Sequence, residues 1–366
     1  MSSLVQLRSD RPGPAVTCAS GAPLELVDRS ARRVRYLRVS LTDRCNYRCT
    51  YCMPEQAPDY GPRAELLRLE EVEQVVAAFA RGGVERVRLT GGEPTLRRGL
   101  VELVARLSQL PTRDGRLEVV MTTNGERLEG LAQPLAAAGL HAVTVSLDSL
   151  DPARFAAITR RGHLDRVLAG IEAARAAGFA SVKLNTVAVR GFNDDELSAI
   201  AEYAWARDVV PRFIELMPMS GGELFVPGTL MPAAEVRAAI AQGLDGALRP
   251  VDGGTARGAG PATYHAVVGG RWAGRVLGTI GAMTENFCAG CNRLRISATG
   301  QLHGCLAHDD AGDLRAALRG AALRGEDGQP ALDRVVRTVL GTKRDGHGFQ
   351  PDGTGGPRKA MISIGG

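Results

Sequence analysis

Cys45-Asn46-Tyr47-Arg48-Cys49-Thr50-Tyr51-Cys52 puts three thiols into one short stretch, and the rest of the chain is best read as the housing for what they hold. Spacings of three and then two intervening residues let a tight loop aim three sulfurs at a common point. That donor set suits a cubane iron-sulfur cluster or part of a zinc site. A structural zinc ion is closed by four ligands, whereas a four-iron cluster on three thiolates keeps one iron open to bind something else. A zinc knuckle completed by a distant histidine remains the competing reading of these residues alone.

Outward from this loop the sequence alternates strand and helix signals. Val34–Leu41 is strand-like, and Leu69–Arg81 has helical apolar spacing with its acidic residues first, where the helix dipole favours them. Strands are expected at Arg86–Thr90, Leu117–Thr122, Ala142–Leu147, Val182–Val189 and Pro211–Leu216, with helices near 98–109, 128–138, 164–177 and 194–207. Six βα units imply a parallel sheet with right-handed crossovers, too short for a complete eight-stranded barrel. The expected fold is α/β, a partial (βα)6 TIM-type barrel over 34–217. Residues 1–33 form an irregular arm, and 218–366 a C-terminal α+β extension that fills the open side. Chemistry in such folds sits past the strand ends. There lie Cys45, then Gly91-Gly92-Glu93-Pro94, Thr122-Thr123-Asn124-Gly125 and Ser146-Leu147-Asp148.

Beyond Met217 the regularity ends. A helix near Pro232–Gln242 precedes a Gly-rich loop, Asp252–Pro261, and shorter strands around Tyr264–Val268 and Arg275–Ile280. Arg293–Ser297 and Gln301–Leu306 flank Ala298-Thr299-Gly300 as a hairpin, which returns Cys305 toward Cys288 and Cys291. Helices near 312–325 and 330–340 lead to a tail ending Gly365-Gly366.

Composition is that of an ordinary globular protein, with 44% hydrophobic and 23% charged residues. No run approaches the roughly 18 apolar residues of a spanning helix, and a signal-peptide core is lacking, so the cytoplasm is the expected location. The net charge of +5 is weak evidence for nucleic acid. Only Lys183, Lys343 and Lys359 are lysines; every other basic residue counted there is an arginine. Seven cysteines argue for metal or redox chemistry rather than disulfides, and Cys18, in the arm, reads as incidental.

The second triplet, Cys288, Cys291 and Cys305, again offers three thiols; a zinc ribbon completed by His303 or His308 is the alternative. Arg293 and Arg295 share one face of the strand that follows Cys291. Planar guanidinium groups grip phosphate oxygens bidentately, which points to a polyphosphate beside the second thiol site, against ordinary surface arginines in an arginine-rich chain.

The C-x3-C-x2-C loop with Tyr51 resembles the signature of the radical S-adenosylmethionine (SAM) enzymes, and the GGEP turn resembles their segment for the SAM amino group. More narrowly, LRVSLTDRCNYRCTYC, RLTGGEPTLR, TTNG, VSLDSL, FIELMP, GPATY, FCAGCNRLR and the terminal GG resemble, in order, the molybdenum cofactor biosynthesis protein A family, the GTP 3′,8-cyclases. That resemblance spans nearly all of Tyr36–Gly366.

It implies two 4Fe-4S clusters, one on Cys45, Cys49 and Cys52, with Tyr51, Gly92, Glu93, Ser146 and Met217 around SAM. The other would sit on Cys288, Cys291 and Cys305, its open iron meeting guanine. Arg38, Arg88, Thr122, Lys183, Arg293, Leu294 and Arg295 match positions that contact GTP, and Gly365 and Gly366 a pair needed for function. The implied reaction abstracts the 3′ hydrogen of the ribose and joins that carbon to C8 of guanine, the first step of molybdenum cofactor synthesis. The resemblance also implies an electron donor such as flavodoxin or ferredoxin, a cyclic pyranopterin monophosphate synthase downstream and a homodimer, with no nucleic acid and no membrane. Its rivals are a two-cluster radical SAM enzyme acting on a peptide and a zinc-stabilised nucleic-acid-binding protein.

Overall fold

A computed structural model describes residues 23–56, 60–219, 222–251 and 260–364. Six parallel strands form its centre: β1 (Tyr36–Ser40), β2 (Arg86–Thr90), β3 (Glu118–Thr123), β4 (Ala142–Ser146), β5 (Ser181–Ala188) and β6 (Val210–Glu215). Between them run α1 (Leu69–Gly82), α2 (Leu100–Leu107), α3 (Leu128–Ala137), α4 (Pro152–Thr159), α5 (Leu164–Ala176) and α6 (Leu197–Trp205).

Helix α1 shows the local logic. Val72, Val75, Val76 and Phe79 recur on one face and are buried, while Glu71 accepts from the Arg68 backbone N–H at 2.7 Å in a capping box. The helix stops at Gly83, whose φ of 110° suits a residue without Cβ. On the strands the period is two: in β5, Val182, Leu184, Thr186 and Ala188 are buried toward the helices, and Lys183, Asn185 and Val187 face the interior cavity.

The C-terminal third is built into this sheet. It contributes α7 (Ala233–Gly243), β7 (Ala247–Pro250), β8 (Thr263–Val268), β9 (Val276–Ile280), β10 (Arg293–Ile296), β11 (Gln301–His303), β12 (Ala311–Asp313), α8 (Leu314–Leu323) and α9 (Gln329–Thr342). Strand β9 pairs in parallel with β6, and β10 in parallel with β1. The parallel run is therefore β10-β1-β2-β3-β4-β5-β6-β9, with β8 and β7 antiparallel beyond one edge and β11 and β12 beyond the other. Together they make a sheet of 12 strands that curls until residues of β1, β6, β9 and β10 face one cavity.

The six central strands and the 293–303 hairpin lie where the sequence predicts. Helix α4 and strand β7 were not expected, and the expected helix at 312–325 begins with strand β12 instead. The described end of the arm is irregular, yet it packs: Leu24 and Leu26 are buried, and Arg32 pairs with Asp28 and donates to the Cys288 carbonyl at 2.9 Å. Cys18, most of the Gly-rich loop and Gly365-Gly366 lie outside the described residues.

Candidate active site

The cysteine loop leaves β1 and is pinned from below by α4. The backbone N–H of Arg48 donates to Thr159 O at 3.0 Å and that of Thr50 to Ile158 O at 2.9 Å. Tyr47 packs edge-on against Phe155, and the buried Arg48 guanidinium donates to the carbonyls of Cys45 and Tyr47. The GGEP turn clamps the loop entrance: Gly92 N–H donates to Thr42 O at 2.7 Å and Glu93 N–H to Arg44 O at 2.8 Å. A Cβ on Gly92 would lie 2.2 Å from Arg44 O, so only glycine allows this approach. The carboxylate of Glu93 is buried and accepts from Thr95 N–H and hydroxyl, Thr123 hydroxyl and Asn124 N–H at 2.6–3.0 Å. It ties the ends of β2 and β3 together under the loop.

Burial pushes the Cys45 and Cys52 thiols up to about 12, helped at Cys45 by Glu93 and at Cys52 by Cys45. Cys49 is also pushed well up, by burial and then by Cys52, Asp148 and Cys45. Three soft donors close enough to raise one another's proton affinity fit a cluster whose irons displace those protons.

Cys45, Cys49 and Cys52 line a cavity of about 300 Å³, and so do Tyr51, Gly92, Glu93, Ser146 and Met217. Arg38, Arg88, Thr122, Lys183, Arg293 and Arg295 line the same cavity. Leu294 does not: strand alternation turns its fully buried side chain into the core, leaving only its backbone toward β1. Parallel register sets Arg295 beside Arg38 and Arg38 beside Arg88, a row of guanidinium groups across β10, β1 and β2. Burial and then neighbouring arginines hold Arg38 well below the usual arginine range and bring Arg295 down to about 10. Burial with Arg212, Arg88 and Arg86 brings Lys183 down to about 7. Such crowding of cations is costly in an empty cavity and marks a site for a polyanion.

Sequence reasoning missed Arg212 and Asn185 on the wall, and placed Asp148 at a strand end without giving it a role. Arg212, inside the apolar run of β6, donates to Asn185 Oδ1 at 3.0 Å and Thr144 Oγ1 at 3.1 Å. Arg88 reaches the same Thr144 Oγ1 at 3.1 Å and also the Tyr36 hydroxyl. The buried Asp148 accepts from the Tyr51 hydroxyl at 2.9 Å and Val187 N–H at 2.8 Å, and burial raises it to about 6. The signal for Arg212 and Asp148 was a charge at an interior-facing or strand-end position.

The second triad, Cys288, Cys291 and Cys305, does not line this cavity, although its chain neighbours Phe287, Arg293, Arg295 and Leu306 do. Its thiols sense one another, since burial and then Cys305 and Cys291 raise Cys288. Each sulfur has a nitrogen donor: the His347 backbone for Cys288, Lys343 Nζ and Arg293 for Cys291 at 3.5 and 3.8 Å, and Ala307 N–H for Cys305 at 3.4 Å. Burial pushes Cys291 up, but Arg293 and Lys343 outweigh it and bring the thiol down to about 7. N–H donors aimed at each sulfur are what a thiolate-bound cluster needs. His308 is engaged with the Gly346 carbonyl at 3.1 Å, and the charged neighbours of buried His303 are Lys359, Arg295 and Asp309. Among the described residues no three His, Cys, Asp or Glu side chains draw close enough to clasp a single ion. Near the tail, Met361 and Ile362 line the cavity.

This arrangement agrees with two family models: Radical SAM superfamily over residues 39–204 and Molybdenum Cofactor Synthesis C over residues 209–349. The fold and cysteine loop are those of a radical SAM protein, a class that uses SAM and a 4Fe-4S cluster. The GTP 3′,8-cyclase of Nitrobacter hamburgensis is 43% identical over 327 residues, 89% of this chain and 90% of that protein. That of Pelotomaculum thermopropionicum is 44% identical over 87% of this chain and 94% of its own length, and GTP 3′,8-cyclase 1 of Pseudomonas aeruginosa 44% over 89% and 95%. The chain belongs to the GTP 3′,8-cyclase family. No described helix is long and apolar enough to cross a membrane.

Proposed function

We propose that this chain converts GTP and SAM into (8S)-3′,8-cyclo-7,8-dihydroguanosine 5′-triphosphate, with 5′-deoxyadenosine and methionine released, as the first step of molybdenum cofactor synthesis. The observation that carries this is the row Arg295-Arg38-Arg88 in the same cavity as the first cysteine triad. A triphosphate neutralises that row, with Lys183 and Arg293 as further cationic contacts on the same wall. Thr122 and the Leu294 backbone complete the substrate contacts.

Cys45, Cys49 and Cys52 hold the first cluster; Tyr51, Gly92, Glu93, Ser146 and Met217 surround SAM. On one-electron reduction SAM supplies the hydrogen-abstracting radical for the ribose 3′ position. The chain's task is to fix that ribose within contact distance and keep water out, which the tightly lined cavity and the phosphate clamps favour. Cys288, Cys291 and Cys305 would hold a second cluster, which would supply an open iron for guanine, and the Gly365-Gly366 pair would be needed for function. The electron comes from a flavodoxin- or ferredoxin-type donor, the product goes to a cyclic pyranopterin monophosphate synthase, and the protein works in the cytoplasm as a homodimer.

Anaerobic incubation with SAM, GTP and a reductant, followed by mass spectrometry, should yield the cyclised triphosphate and an equivalent of 5′-deoxyadenosine. SAM cleavage that ignores GTP, or a nucleotide of unchanged structure, overturns the reading.

A further inference from the structure

Lys343 is one of three lysines in a chain that otherwise uses arginine, and it is only 3% exposed. It closes α9 and turns inward, where Nζ donates to Gly304 O at 2.8 Å and lies 3.5 Å from Cys291 Sγ. Burying an ammonium group is costly unless hydrogen bonds and a negative partner meet it. Among the described residues its partners are the Gly304 carbonyl and the Cys291 sulfur, not a carboxylate. A lysine also suits the spot physically, because it delivers a compact point charge where a planar guanidinium needs a wider slot.

Arg293 shares the same sulfur at 3.8 Å, but it faces the cavity, where a bound polyphosphate would compete for its charge. Lys343 does not line the cavity. Its charge therefore acts on the sulfur whether or not substrate is present.

We propose that Lys343 is a positioning residue for the second iron-sulfur centre, donating an N–H···S hydrogen bond to its Cys291 ligand and thereby raising the centre's reduction potential. The inference rests on the two-cluster reading above. A fixed positive charge beside a ligating sulfur favours the reduced cluster, which carries one more negative charge; loss of the charge must lower the potential.

The test uses the full chain, reconstituted anaerobically and free of GTP, as wild type, Lys343→Gln and Lys343→Arg. Iron content and a redox titration followed by electron paramagnetic resonance are measured, with Cys49→Ala used to assign the two signals. Wild type and Lys343→Gln should both carry about eight irons. In Lys343→Gln the second centre alone should become harder to reduce, and Lys343→Arg should stay nearer wild type. In wild type grown on ¹⁵N-lysine, pulsed resonance of the reduced second centre should show a weak nitrogen coupling that Lys343→Arg removes. This arm stands even if Lys343→Gln fails to hold its cluster. Full iron content with an unchanged potential, or no nitrogen coupling in the labelled wild type, overturns the inference alone. A wild type holding only about four irons overturns the two-cluster reading and the inference with it.

Discussion

The two cysteine triads offer the same donors, but one thiol of the second, Cys291, stands in surroundings of opposite sign to the first, while Cys288 is still pushed up by burial. Around the first, burial, Glu93 and Asp148 all oppose negative charge on sulfur, so that Cys45 and Cys52 are pushed up to about 12 and Cys49 is pushed well up with them. Around Cys291, burial is overcome by Arg293 and Lys343, and the thiol ionises near 7. A cluster in the first setting resists taking up an electron and is a strong reductant once it has one, as reductive cleavage of SAM demands. Beside Cys291 the proposed second cluster would take up charge more easily, which would suit a centre that only grips and orients. Identical thiol counts thus conceal different electrostatic settings.

The sharpest way to break the comparison is to remove one ligand from each side. Cys49→Ala should abolish formation of 5′-deoxyadenosine. Cys305→Ala should leave that cleavage measurable and eliminate the cyclised nucleotide, both read by chromatography. Equal losses in both variants would erase the distinction.

In metal-free protein the contrast appears as alkylation by iodoacetamide. Thiolate is the reactive form, so Cys291 should label at pH 7.5 at least ~100-fold faster than Cys45 or Cys52. Its rate should fall as pH drops through about 7, while the first triad stays slow until strongly alkaline pH. Peptide mapping by mass spectrometry reads this directly.

A smaller effect is expected from the arginine row. Arg293→Ala should weaken GTP binding by about 1.5–3 kcal/mol, the range for a hydrogen bond to a charged group, and leave SAM affinity unchanged in calorimetry. Unchanged GTP affinity would remove this arginine from the phosphate site.

Smallest is the Tyr51–Asp148 contact. Burial raises Asp148 to about 6, so the carboxylate that accepts from Tyr51 is present above that pH and is lost as pH falls through it. The KM for SAM should rise a few-fold, roughly the ~1 kcal/mol of one hydrogen bond, as wild type is acidified below 6. Asp148→Asn should flatten that dependence, and an unaltered profile would show the contact to be idle.

Much of this was legible in the sequence because the signals were local. The alternation in 181–188, the spacing of the first triad and the same-face pair Arg293 and Arg295 are properties of short stretches, and the structure realises each of them. The same alternation also turns Leu294 away from the cavity, which its match to a family position obscured. Long-range pairing was not legible. Nothing in 276–280 or 293–296 says that these strands add in parallel to opposite edges of a sheet whose six central strands already end at Glu215. Helix α4 hid because it is short and stops at Arg160 with φ of 60°, and Arg212 hid inside an otherwise apolar strand. Lys343 was noticed only as a rarity of composition; what it touches depends on how α9 docks.

The pairing of β10 with β1 carries a consequence for how the chain is made. The first strand to leave the ribosome gains its outer neighbour only after more than 250 further residues have followed, and β6 likewise waits for β9. A nascent or shortened chain stopping after Met217 would expose two bare sheet margins, each a template for sticking to another molecule. The unit that carries the first cysteine triad is therefore not a module that can be cut free, and its solubility belongs to the segment that brings the second triad.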